Sequence, residues 1–180
     1  VGVVSYTEFV EIELAEPMEV EKAALALDAA LPRGIRVLAA DAVDTHHAAL
    51  MSQAAGASYR VTLPYSKDVS AAVAEFNAAP ELLFKKAAPK TKAKFKEIDV
   101  KFYIPQLTAE QTETETIFSF DCKITPTGSM KAVDLLNALN EQYGLALPVE
   151  MADIERLRLY RNNKNGKPIP MLNSDAVILG

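Results

Sequence analysis

The sequence predicts an α+β protein made of two tandem ferredoxin-like sandwiches, the first of them incomplete. Three observations carry that expectation. Hydrophobic residues make up 49% and charged residues 24% of the 180-residue chain, enough to bury a core. Segments of period 2 alternate with segments of period 3.6 along its length. A strand, a proline-bearing turn and a helix recur three times, at Leu14-Ala15-Glu16-Pro17, Leu63-Pro64-Tyr65-Ser66 and Ile124-Thr125-Pro126-Thr127. Split βαβ units produce such an order, with their helices on one sheet face.

Residues 7–14 (TEFVEIEL) set Phe9, Ile12 and Leu14 against Glu8, Glu11 and Glu13, an alternation that slips at Val10–Ile12 and still predicts a half-exposed strand. Pro17 suits a helix entry, and Val20, Ala24, Leu27 and Leu31 predict a helix over 18–31, with Glu19 and Glu21 favoured in its first turn. Pro32-Arg33-Gly34 ends it, 35–43 reads as a strand, and 45–57 as a short helix or loop. A second copy of the plan comes next. Residues 58–63 are a strand, 67–79 a helix with Val69, Val73 and Phe76 on one face, and 81–86 a strand. A lysine-rich loop or hairpin tip leads to 97–104, where Ile98, Val100, Phe102 and Ile104 alternate with Asp99, Lys101 and Tyr103 as a predicted strand.

Residues 108–116 read as a polar turn and 117–125 as a strand. Ser129 or Thr127 is placed to cap a helix over 130–143, lined by Val133, Leu136, Leu139 and Asn140. Residues 154–161 (IERLRLYR) predict a strand, Asn163–Gly166 a hairpin turn, and 167–172 a weak edge strand, because Pro168 and Pro170 cannot donate to a ladder. The expected domains are 1–57, the C-terminal half of a first ferredoxin-like unit, and 58–180, a second unit with a C-terminal hairpin. One βαβ unit alone leaves apolar surface uncovered, so a partner segment is expected N-terminal to Val1.

The same residues narrow the chemistry. No run of about 18 apolar residues exists and the first residues are no signal peptide, so no membrane partner is expected. Cys122 stands alone, which rules out an internal disulfide and fits a reducing, cytoplasmic compartment. Inside an apolar strand it reads as a small hydrophobe. His46 and His47 are adjacent, so their side chains diverge, and no metal site or cofactor is expected. Asp99, between Lys96 and Lys101, is the one candidate catalytic acid, weighed against an ordinary surface ion pair.

The net charge is −5, but residues 85–101 carry seven lysines against Glu97 and Asp99, a local +5. Lys85, Lys86, Lys90, Lys92, Lys94 and Lys96 surround Phe95, and Lys101 lies just beyond. Spaced lysines with an aromatic can track a phosphate backbone and stack on a base, so RNA is the expected partner. Arg156, Arg158 and Arg161 are expected on one strand face beside them. The bland alternative is a solubilising loop in an acidic protein.

The segment Val1–Leu14, then Leu31–Leu38, Ala57–Val61 and Lys96–Ile104, resembles the radical SAM-linked proteins, a DUF2344-type family. Lys96-Glu97-Ile98-Asp99-Val100-Lys101-Phe102-Tyr103-Ile104 is similar to that family's K-E-x-D-I-R-P-Y-I segment, with Lys101-Phe102 in place of Arg-Pro. The family's S-H-L-D-L-like helix and G-F-x-P-H-P-like turn do not occur in this sequence. The resemblance implies an accessory or substrate-binding domain that works with a radical SAM protein, in RNA modification or ribosome-related processing, and without independent activity. The alternatives are a stand-alone RNA-modifying enzyme of pseudouridine-synthase-like architecture and a protein-interaction module with no nucleic-acid role.

Overall fold

The computed structural model describes residues 2–44, 46–87 and 94–179. It is a mixed α+β structure. In chain order its elements are β1 (Val4–Ser5), α1 (Val20–Ala30), β2 (Ala39–Ala40), α2 (Leu50–Gln53), β3 (Ala54–Leu63), α3 (Ser70–Ala78), β4 (Leu83–Ala87) and β5 (Phe95–Asp99). Then come α4 (Val100–Tyr103), β6 (Thr108–Gln111), β7 (Thr116–Thr125), β8 (Gly128–Ser129), α5 (Ala132–Tyr143), a 3-10 turn (Val149–Met151), β9 (Asp153–Asn162), β10 (Pro168–Pro170) and β11 (Val177–Ile178). They form two compact units: Val1–Glu8 with Ala54–Tyr160, and Phe9–Gln53 with Arg161–Gly180.

The first unit is a sheet in the order β1-β9-β3-β7-β6. β7 runs antiparallel to both β3 and β6, so β3 and β6 are parallel with β7 between them. The pairs Ala57/Cys122, Tyr59/Phe120, Val61/Phe118 and Leu63/Thr116 share one face of the β3–β7 ladder. That face is apolar because period 2 sends alternate residues to the same side, and Val61, Leu63 and Phe118 are fully buried there. The helices close over it: Phe76 of α3, and Leu135, Leu136 and Leu139 of α5, are buried in the same core. The opposite face carries Ser58, Arg60, Ser119 and Asp121.

Two asparagines fix the helix exits. Asn77 donates to the Leu107 carbonyl (2.8 Å) and accepts from its N–H (2.9 Å). Asn140 does the same to Leu147, at 3.0 and 2.7 Å. Each satisfies a loop backbone that would otherwise be buried unpaired.

In the second unit, α1 ends at Leu31, and Asp28 holds the next turn by accepting from the Arg36 side chain (2.9 Å) and the Val37 N–H (2.8 Å). β2 pairs antiparallel with β11. Asn163 closes the turn before β10 by accepting from the N–H groups of Asn165 and Lys167 (both 2.9 Å).

Five expectations need correction. Residues 7–14 form no strand: the parallel pairing of β1 with β9 ends where the Tyr6 N–H reaches the Arg156 carbonyl (3.2 Å), and no described strand pairs with residues 7–14. Of 35–43, only Ala39–Ala40 is a strand, because β11 offers two residues to pair with. The strand over 97–104 stops at Asp99, whose carboxylate accepts from the Lys101 N–H (2.9 Å) and starts α4. Val100 and Ile104 are then buried as an i, i+4 pair. The expected turn at 108–116 begins as strand β6, at the sheet edge. The helix over 130–143 starts at Ala132 with Lys131 in the cap position and Asp134 reaching back to its N–H (3.4 Å), while Ser129 pairs with Ile124 in β8.

Candidate nucleic-acid interface

The lysine-rich stretch is the arm formed by β4 and β5, a two-stranded sheet of its own. Lys90 and Lys92 lie outside the described residues. The register pairs Leu83/Asp99, Phe84/Ile98, Lys85/Glu97, Lys86/Lys96 and Ala87/Phe95. Paired residues share a face, so the arm has two sides. One side carries Phe84, buried in the core, with Ile98 packed against that core and Lys86 and Lys96 beyond them. The other carries Leu83 (51% exposed), Lys85, Glu97 and Phe95 (59% exposed).

Like charges directly opposite repel, and the Lys86/Lys96 pair is relieved by Asp134 of α5, which takes the Lys86 ammonium at 2.5 Å. Asp134 is nearly buried, so Lys86 is a structural counter-ion. Lys101 is also engaged, lying 4.5 Å from the Phe76 ring centroid and donating to the Pro105 carbonyl. The ammoniums that stay in solvent on the described arm are Lys85, Lys94 and Lys96. Lys94, at φ 59°, turns the chain into β5 beside Phe95.

The arginines do not form one face. Arg156 bonds Ser5 (3.4 Å) and Glu8 and lies near the Tyr59 hydroxyl, whereas Arg158 donates to Ser58 (2.8 Å). Tyr59 and Ser58 are neighbours on β3 and point to opposite faces. Arg158 also lies 5.6 Å from the Tyr160 ring. Arg161 belongs to the second unit, where it donates to the Pro170 carbonyl (3.1 Å) and to Asn173 (2.8 Å). Asp99 is a structural acceptor, taking the N–H groups of Leu82 (3.1 Å) and Lys101 (2.9 Å).

Cys122 is buried and burial pushes its thiol up, away from the reactive thiolate. His47 faces an acceptor at each ring nitrogen, the Asp44 carbonyl (2.7 Å) and the Glu11 carboxylate (2.6 Å), within the second unit. Among the described residues no group of three His, Cys, Asp or Glu side chains is placed to hold a metal ion. No described helix is long and apolar enough to cross a membrane. Sequence reasoning misses the Asn77 and Asn140 clamps, although a polar residue on an apolar helix stripe is the signal that finds them. No curated protein matches the chain. Residues 1–135 match DUF2344, a family of uncharacterised proteins conserved in bacteria, and the chain belongs to that family.

Proposed function

We propose that the chain is an RNA-directed accessory domain that binds substrate for a radical SAM enzyme in the bacterial cytoplasm. The observation that carries the reading is the β4–β5 arm, where exposed Phe95 shares a face with Lys85 and is flanked along the chain by the solvent-facing Lys94 and Lys96. An exposed aromatic ring offers a stacking platform, and lysines around it neutralise phosphates as point charges. The iron–sulfur chemistry belongs to the partner, since one buried thiol cannot supply the thiolates that a cluster needs. The tandem ferredoxin-like plan is part of the same proposal. In its favour is the order β3-α3-β6-β7-α5-β9, with β7 splitting a parallel pair.

The test is single-stranded RNA binding across a salt series, with the triple variant Lys85→Ser/Lys94→Ser/Lys96→Ser and with Phe95→Ala. Lys86 is left alone because Asp134 needs it. Loss of three phosphate contacts should flatten the slope of log K against log salt by roughly 2. Loss of the ring should weaken binding by about 1–3 kcal/mol with the slope unchanged. Absence of binding, or binding indifferent to both variants, would refute the reading.

A further inference from the structure

The second unit holds a stretch that the proposed RNA arm does not explain. Every residue from Val10 to Glu19 is exposed, including Val10 at 70%, Ile12 at 53% and Leu14 at 45%. The backbone of residues 7–18 makes no hydrogen bond with other backbone among the described residues. Its sequence nevertheless alternates like a strand, with Val10, Ile12 and Leu14 against Glu11 and Glu13. Glu11 is engaged by His47 and the Leu50 N–H, while Glu13, Glu16 and Glu19 make no ion pair among the described residues. A segment with strand patterning, unpaired backbone and exposed aliphatic side chains is a template for strand addition.

The complementary surface is also present in this molecule. Among the described residues β4 and β5 pair only with each other, so neither has a strand on its outer edge. That arm presents ammoniums at Lys85, Lys94 and Lys96 and apolar groups at Leu83 and Phe95. Acidic and apolar side chains on one strand-like edge thus match basic and apolar side chains on another.

We infer that the segment Phe9–Leu14 of one copy adds to the free edge of the β4–β5 arm of a second copy, so that the protein self-associates. Two copies that each lend this segment to the other make the same contact twice. The aliphatic side chains cover Phe95 and Leu83, which puts Glu13 on the face of Lys96, with Glu16 and Glu19 just beyond it toward the other arm lysines. The same lysines cannot serve RNA at the same time, so RNA and self-association compete.

Sedimentation equilibrium on three proteins tests this. One is the natural chain, one is Glu13→Lys/Glu16→Lys/Glu19→Lys, and one is Lys85→Glu/Lys94→Glu/Lys96→Glu. The natural chain should associate at low salt, with its dissociation constant rising at least about tenfold between about 0.05 and 0.5 M salt. Each variant alone should be monomeric, since like charges then face each other, and the equimolar mixture should regain the pair. A natural chain that stays monomeric, variants that pair as the natural chain does, or two variants folded by circular dichroism that fail to pair when mixed would each overturn the inference. The Glu→Lys variant keeps its arm, so its RNA affinity judges the RNA proposal separately.

Discussion

Asp99 separates a structural acid from a catalytic one, and the difference is measurable. Its carboxylate accepts the N–H groups of Leu82 (3.1 Å) and Lys101 (2.9 Å), which ties the start of β4 to the first turn of α4. Leu82 is 5% exposed and Val100, next to the tie, is fully buried. Asp99→Ala leaves two backbone donors without their acceptor, at about 1 kcal/mol each, so about 2 kcal/mol of stability should be lost. For a protein of this size that lowers Tm by roughly 4–8 °C. Asp99→Asn keeps an acceptor oxygen at the same place and should cost about 0.5 kcal/mol or less. Urea and thermal unfolding monitored by far-ultraviolet circular dichroism give both values. If Asn loses as much as Ala, the charge is what counts and the capping argument fails. If neither loses stability, Asp99 holds nothing, and the rival assignment as a catalytic acid regains its place.

Two further outcomes concern single sites. The Asp44 carbonyl and, next, the Glu11 carboxylate raise the His47 pKa above its ordinary value, because the imidazolium can donate at both ring nitrogens. A raised pKa in the fold means that this contribution is complete below about pH 6.5 and is lost as pH rises through the folded value; an NMR titration placing His47 at or below 6.5 would contradict it, and Glu11→Gln should shrink the shift. At Gly56, an added Cβ would meet the Tyr160 hydroxyl at 2.2 Å and its ring at 2.4 Å, so Gly56→Ala should cost about 1–3 kcal/mol by forcing the buried ring aside; combined with Tyr160→Leu the costs should sum to less than their parts, and strict additivity in urea unfolding would show that the two residues do not collide.

The elements that are legible in the sequence are those whose pattern has one physical solution. The strands at 58–63 and 117–125 are rich in aromatic and β-branched residues, and they pair as β3 and β7. Helices α3 and α5 match their apolar spacing. The stretch 97–104 is ambiguous in principle, since Val100 and Ile104 fit period 2 and the i, i+4 spacing equally. The carboxylate of Asp99 decides it by capping, a local signal that alternation outweighs when only the sequence is read. At 7–14 the alternation is real, but a strand needs a neighbour, and a sequence does not show whether one is beside it. The arginines depart from expectation for a related reason. Glu155 reaches Arg60 at 3.9 Å and Arg158 reaches Ser58, although 155 and 158 differ in parity. The alternation of β9 therefore slips between them, as at a bulge, and Arg156 goes to the face of Tyr59.

That slip changes what the charge pattern means. Read from sequence, Lys85, Lys86, Lys90, Lys92, Lys94, Lys96, Lys101, Arg156, Arg158 and Arg161 form one basic surface, and ten contacts to a single strand would give a salt slope of roughly −7. The structure has already engaged half of them: Lys86 on Asp134, Lys101 on Phe76 and Pro105, Arg156 on Ser5 and Glu8, Arg158 on Ser58, and Arg161 on Asn173 and Pro170. Moving any of them to a phosphate would first break a contact that the fold uses. Lys85, Lys94 and Lys96 remain among the described residues, and if Lys90 and Lys92, which lie outside them, are added, five contacts give a slope of roughly −3.5. A measured slope near −7 would mean that the engaged side chains release their partners on binding, and the interface would then include residues that the free protein holds in its own contacts. A slope near −3.5 would confine the interface to the arm, where Phe95 is the exposed ring on which a base can stack.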